Sequence, residues 1–192
     1  MIYRYSLRRR WQPSVGGKAG RVVWVMLNPS TADDTHDDPT IRKCIGFTKR
    51  WGYSDMVVAN LFAYRATDPA DLWRTHLAGG DIIGAENDAQ FHAINATPMA
   101  DQLVVCAWGA GRLIPVMLSR IVAVEELLVC HPLHCLGFTK GSDPRGNFPQ
   151  PRHPLMLPYA TQLERYPDAH EGGCICERCR VVIQAAAQES GF

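Results

Sequence analysis

The chain reads as an α/β protein, a three-layer α/β/α sandwich around a central, mostly parallel sheet of four or five strands. Three observations predict this. Short apolar runs rich in β-branched residues recur at Val22 to Leu27, Met56 to Phe62, Leu103 to Trp108 and Leu127 to Cys130, each with the length of a buried strand. Segments with apolar residues at helical spacing separate them, and strands that alternate with helices build a parallel sheet covered on both faces. The first three runs also stop abruptly in polar or glycine-rich sequence, as strands do at the crevice of an open α/β sheet.

Taken in order, residues 1–6 suggest a short first strand. Residues 7–20, where Pro13, Gly16, Gly17 and Gly20 lie among basic residues, suggest a turn or loop. The first core strand, Val22 to Leu27, ends at Asn28-Pro29-Ser30. From Pro39 the apolar positions Ile41, Cys44, Ile45, Phe47 and Trp51 fit a helix, with Pro39 in its first turn and Gly52 as its stop. Met56 to Phe62 is the next strand, Pro69 to Leu77 a short helix, and Asp81 to Asn95 a helix with Asp81 as N-cap. Leu103 to Trp108 is the third core strand, Leu113 to Val124 the helix behind it, and Leu127 to Cys130 the last core strand, extending towards Leu136. Beyond Gly137 the chain is irregular and rich in Pro and Gly, a functional loop or a poorly ordered one. A C-terminal helix is expected over Arg180 to Gln188.

Composition bounds the function. The 192 residues suffice for one ordinary domain, expected over residues 1–160, with a cysteine-rich extension over 161–192 that packs on it or trails from it. A net charge of +1 excludes a global basic footprint, so any nucleic-acid contact rests on a local patch. Arg4, Arg8, Arg9, Arg10, Lys18 and Arg21 form one candidate, with a solvated arm or a charged edge hairpin as the plain alternative. No run reaches the ~18 apolar residues of a membrane span, and no signal-peptide core follows the basic start; a cytoplasmic protein without a membrane partner is expected. Seven cysteines, an odd number, favour reduced thiols and a metal over a disulfide framework.

The candidate chemistry lies at the strand ends. Asn28, Pro29, Ser30 and Thr31 form the turn after the first core strand, and a carboxylate from the loop beyond it, Asp33 or Asp38, could orient water or act as general base. A tight strand exit is the structural alternative for Asn-Pro. Asn60, Tyr64 and Arg65 fall at and beyond the end of the second strand, as crevice residues or as strand cap and rim packing. Trp108 and Gly109 open a glycine-rich turn whose N–H groups could hold a phosphate, without the Lys-Ser/Thr of a P-loop or the spacing of a dinucleotide fingerprint. His153 could donate a hydrogen bond to a substrate oxygen or shuttle a proton, or be a surface histidine in a Pro-rich loop. Cys174, Cys176 and Cys179, with His170 just before them, would complete a tetrahedral zinc site. An iron-sulfur cluster with Cys44 or Cys135 as a distant fourth ligand, or free thiols, are the alternatives.

From about Tyr3 to Pro158 the chain resembles the DUF1643 family of bacterial and phage proteins. The likeness rests on Met26-Leu27-Asn28-Pro29-Ser30-Thr31-Ala32-Asp33, on Asp38-Pro39-Thr40, on Gly52-Tyr53 through Asn60 to Thr67, on Ala107-Trp108-Gly109 and on His153-Pro154-Leu155. That family has no assigned function. More distantly, the order of the Asn28-Pro29 turn, Asn60 with Arg65, the helix from Asp81, Ala107-Trp108-Gly109 and His153-Pro154 is similar to the uracil-DNA glycosylase superfamily. This resemblance implies that Asn28 positions the attacking water, Asn60 reads the base and His153 lies near a base oxygen. Two positions depart from the pattern: Met26 or Leu27 replaces a glycine, and Leu155 replaces a phosphate-contacting serine. The function implied is a DNA glycosylase-like hydrolase acting on the N-glycosidic bond of a damaged or modified base, with DNA, a nucleotide or a nucleobase as partner and no cofactor required. A non-catalytic nucleotide or modified-base binding protein of phage-host conflict, and a metal-dependent hydrolase using the aspartate-rich loop, are the alternatives.

Overall fold

The computed structural model describes residues 2–30, 32, 36–110, 115–139 and 150–167. Along the chain these form β1 (Ser6–Arg10), β2 (Arg21–Met26), α1 (Pro39–Arg50), β3 (Asp55–Asn60), α2 (Pro69–Leu77), α3 (Asn87–Asn95), β4 (Gln102–Cys106), α4 (Pro115–Leu127), β5 (Leu133–Cys135) and β6 (Glu164–Arg165). One sheet takes the strands in the order β1-β3-β2-β4-β5-β6. The inner four are parallel, and β1 and β6 are antiparallel edges. The α/β expectation therefore stands in its coarse form, but the sheet has six strands rather than four or five and is mixed at both edges.

Each difference has a local cause. The first strand is Ser6–Arg10, which begins at the last residue of the expected strand and runs into the segment expected to be a loop, because Leu7 is its one buried residue. Leu7 is buried against the sheet in register with Val58, while Arg8 and Arg10 share the opposite face with Asp55. Residues 127–130 are not a strand. Val124 and Leu128 keep helical spacing, Leu128 N–H donates to Val124 O at 3.1 Å, and a short apolar run does not separate strand from helix by periodicity. The strand comes later, at Leu133–Cys135. α3 starts at Asn87 because Asp81 turns the chain instead of capping a helix: its Oδ1 accepts from the N–H groups of Ile83 and Gly84 at 2.9 and 3.1 Å. Past residue 160 the chain still packs on the sheet, through β6 and the fully buried Tyr166, whose hydroxyl donates to Glu125 Oε1 at 2.9 Å. The expected C-terminal helix lies outside the described residues.

β2 is buried on both faces, so its side chains feed two cores. Val23 and Val25 meet Phe91 and Ile94 of α3 and Met117, Ile121 and Val124 of α4. Val22, Trp24 and Met26 meet Ile41, Cys44 and Phe47 of α1. The one polar atom of Trp24 is satisfied inside this second core, Nε1 donating to Thr48 Oγ1 at 3.1 Å. Among the parallel strands β2 comes first, β3 lies on one side of it and β4 on the other. The strand order thus reverses between β2 and β4, and a ligand crevice opens at the carboxyl ends of the strands beside such a switch point.

Candidate functional site: a crevice at the strand ends

A cavity of about 480 Å³ occupies that switch point, within the size range of small-molecule sites. Met26, Leu27 and Asn28 at the end of β2, Asn60 at the end of β3 and Trp108 and Gly109 beyond β4 line it. Asp38, Thr40 and Ile41 at the start of α1, Trp73 of α2, Ser30, Arg4 and His153 complete most of the wall.

Asn28 is fixed by its amide. Nδ2 donates to Ala66 O at 2.7 Å and to Pro29 O at 3.1 Å. Two carbonyl partners settle which end of the side chain is the NH₂ group, and leave Oδ1 as an acceptor without a partner among the described residues. Asn60 presents the opposite polarity. It is 1% exposed, and its Nδ2 has no hydrogen-bond partner. Its backbone is held from behind: Asn87 Nδ2 donates to Asn60 O and Leu61 O at 3.1 and 3.0 Å, and Arg120 Nε donates to Leu61 O at 2.6 Å.

His153 reaches the crevice on a strap sewn to the sheet. Gly109 N–H donates to Pro151 O at 3.1 Å, Arg152 N–H to Gly137 O at 2.9 Å and Trp108 Nε1 to Gln150 Oε1 at 2.7 Å. Gly109 has φ +81, and a Cβ there would lie 3.0 Å from His153 Cβ, so backbone conformation and close approach both require glycine. His153 Nδ1 accepts from Leu155 N–H at 3.3 Å, which puts the proton of the neutral ring on Nε2. Burial lowers the His153 pKa, and the Asp38 charge pulls the other way; the ring is neutral at pH 7. Asp38 itself caps α1, its Oδ1 accepting from Ile41 N–H at 2.8 Å, which leaves Oδ2 for other work. The neighbouring Asp37 pairs with Arg9 at 2.8 Å. Two indoles supply the apolar walls: Trp73 stands edge-on to Phe62 and Trp108 edge-on to Tyr166, each with ring centroids 5.5 Å apart.

Of the expected site residues, the structure brings Asn28, Ser30, Asp38, Asn60, Trp108, Gly109 and His153 onto this one cavity. Pro29, Tyr64 and Arg65 stand off the lining. Pro29 is buried, its carbonyl accepting from Ala66 N–H; Tyr64 meets Tyr3 edge-on at 6.2 Å; Arg65 N–H donates to Ile2 O. Thr31 and Asp33 lie outside the described residues, as do His170, Cys174, Cys176 and Cys179. Cys44 and Cys135, the distant cysteines considered with them, are buried, and burial pushes both thiols up, Cys135 to about 11. Among the described residues no group of three His, Cys, Asp or Glu side chains is placed to hold a metal, and no helix is long and apolar enough to cross a membrane. Sequence reasoning missed Arg4 and Trp73 as lining residues, whereas Thr40 belongs to the polar run after the first core strand. Arg4, whose guanidinium donates to Ala32 O, was legible only as one charge of a basic arm. Trp73 carried a usable signal, since it sits in the second turn of a helix that follows a core strand.

No curated protein and no solved structure matches the chain. A family model described as a protein of unknown function, DUF1643, matches residues 4–155. That span contains every residue of the crevice lining, from Arg4 to His153, and about four-fifths of the chain: the protein belongs to the DUF1643 family.

Proposed function

We propose that the crevice binds a nucleobase and that the protein is a glycosylase-like hydrolase of the N-glycosidic bond in DNA bearing a damaged or modified base. The observation that carries this reading is the convergence of Asn28, Asn60 and His153, far apart in sequence, on one cavity. Their polarities are complementary to the task. Asn60 Nδ2 is a buried donor without a protein partner, which an acceptor on the edge of a base would satisfy. The His153 Nε2–H would donate to a base oxygen as negative charge develops on it. Asn28 Oδ1 accepts a hydrogen bond from a water, with Asp38 Oδ2 as the nearby base. The water oxygen bonds to the sugar carbon, the glycosidic electron pair leaves with the base, and the water proton passes to the carboxylate. Extruding the base from a strand brings that bond into the cavity. The likeness to the uracil-DNA glycosylase superfamily belongs to the same reading, supported by Asn28, Asn60, Trp108-Gly109 and His153, which follow one another in the chain and line the cavity; Arg65 and the helix after Asp81 lie off it.

Asp38 is also a helix cap, and the 38% exposed Leu155 replaces a phosphate-contacting serine. These two features favour a second reading, retention of a modified base or nucleotide without turnover. The test is base release from single- and double-stranded DNA carrying uracil, hypoxanthine or hypermodified pyrimidines, with calorimetry on the same ligands. Release that Asn28→Ala abolishes while binding persists supports the hydrolase. Binding without release supports the second reading. Absence of both, or binding indifferent to Asn60→Leu, overturns the crevice as a base site.

A further inference from the structure

The sheet edge remote from the crevice carries a second cavity, of about 820 Å³. It lies where β2 and β3 begin and antiparallel β1 ends. Three arginines line it: Arg8 and Arg10 on β1 and Arg21 on β2. Each is anchored by one edge of its guanidinium. Arg8 donates from Nε and Nη2 to the two Asp55 oxygens at 3.0 and 2.5 Å, and Arg10 Nη2 to the same carboxylate at 3.2 Å. Arg21 donates from Nε and Nη2 to Gln102 Oε1 at 3.2 and 3.1 Å, and from Nη2 to Thr97 Oγ1 at 3.0 Å. The Nη1 group of each has no partner among the described residues.

The charges do not balance. One carboxylate serves both Arg8 and Arg10, and the partners of Arg21 are neutral. Asp101, the other acid on the lining, pairs with none of the three. A structural staple of β1 onto β3 needs only the two-point bond from Arg8 to Asp55; it explains neither the second arginine on that carboxylate, Arg10, nor Arg21. Guanidiniums fixed at one edge, with N–H pairs left over, match the oxygens of a phosphate. Trp11 lies on the same lining, packed against the core and with the Lys49 ammonium 5.2 Å over its ring.

We propose that this groove is a second binding site, for the phosphate of a nucleotide or of a nucleic-acid strand, and that it works independently of the crevice. The full chain is titrated at low salt with inorganic phosphate, a nucleoside monophosphate and a short single-stranded oligonucleotide of unmodified bases. The variants are Arg10→Gln, Arg10→Gln/Arg21→Gln and, as a crevice control, Asn60→Leu. Each lost guanidinium is expected to raise the dissociation constant on the order of ten-fold, and to reduce the salt slope for the oligonucleotide by roughly 0.7 per contact. Asn60→Leu leaves the binding of inorganic phosphate, which has no base for the crevice, unchanged. A preference for the oligonucleotide identifies the strand as the source of the phosphate, and equal affinity for the mononucleotide identifies the free nucleotide. Arg10 is 67% exposed at its side chain, so its single variant keeps the fold, and Arg21→Lys tests charge without the fork. Failure of all three probes to bind, equal affinity in the double variant, or loss of inorganic phosphate binding in Asn60→Leu instead would overturn the proposal.

Discussion

Gly46 in the middle of α1 gives the sharpest test of how His153 is held. A Cβ at this position would lie 2.3 Å from the Tyr159 hydroxyl oxygen and 2.5 Å from two of its ring carbons. Tyr159 is 41% exposed, so in Gly46→Ala the ring swings away and gives up two contacts. One is its edge-to-face packing on Phe47, centroids 5.0 Å apart, worth ~0.5–1.5 kcal/mol. The other is the Lys43 ammonium 4.0 Å above its ring, worth ~0.5–1 kcal/mol at an exposed site. Against this, alanine in a helix interior gains about 0.8–1 kcal/mol over glycine. The single variant should therefore lose only about 0–2 kcal/mol, whereas in a Tyr159→Ala background the same substitution should stabilise by about 1 kcal/mol. A four-member urea-unfolding cycle reads this coupling, expected at about 1–2.5 kcal/mol. Hydrogen exchange at Leu155 and Leu157, whose amides bond His153 Nδ1 and Pro154 O, reads the loosened strap. If Gly46→Ala stabilises both backgrounds equally and exchange at 155–157 is unchanged, Tyr159 does not hold the His153 strap against α1.

Gly109→Ala should cost about 1–2 kcal/mol from its left-handed backbone, displace His153 and weaken base binding; full-strength binding in calorimetry would contradict the close contact. Burial pushes the Asp55 carboxyl up, but hydrogen bonds from Arg8 and Arg10 and their charges outweigh it and hold the pKa below the ordinary value. Its contribution is therefore present above about pH 4 and lost as pH falls through the folded pKa. Asp55→Asn should flatten the stability profile in that acid range, and parallel wild-type and variant curves would refute it. The His153 pKa is lowered by burial, so the unfolded chain takes up its proton first. Stability is lost as pH falls below about 6.5 towards the folded pKa, and His153→Gln should remove that slope in denaturant titrations across the range. Asn60→Leu should leave stability unchanged or raise it by about 1–2 kcal/mol while abolishing base binding; Asn87→Leu should lower stability by about 1–3 kcal/mol. Thermal melts and calorimetry separate the two, and equal destabilisation would erase the distinction between them.

Much of the fold was legible where its signals are local. β2, α1 and β3 fall within a few residues of expectation because Asn28-Pro29, Pro39 and Gly52 punctuate the chain themselves. β1 was not legible, since a leucine among arginines becomes a strand only through its distant register with Val57 to Ala59. β6 was not legible either, because two exposed residues carry no pattern and pair only with the end of β5. The site divides the same way. Asn28, Asn60 and Trp108 announce themselves as polar or glycine-flanked strand ends. Arg4 comes to the crevice only because the chain before β1 runs beside the segment after β3, where Tyr3 bridges Tyr64, and that closure has no local signature.

The two buried asparagines at the end of β3 show which polar groups the fold needs and which it merely tolerates. β1 pairs with β3 only as far as Ser6 opposite Ala59, so the carbonyls of Asn60 and Leu61 lie beyond the edge strand and need other donors. Asn87 supplies them to both carbonyls from α3 and Arg120 supplies one from α4. Burying these side chains leaves Asn87 Oδ1 and Arg120 Nη2 without partners, a cost that serves backbone pairing. No such return comes from the Asn60 side chain, which belongs to the cavity lining and whose Nδ2 is buried without a partner. A leucine there would fold at least as well. An unmet donor on an immobilised backbone, in a residue that lines the cavity together with Asn28 and His153, reduces stability, and an acceptor that reached it would recover that cost.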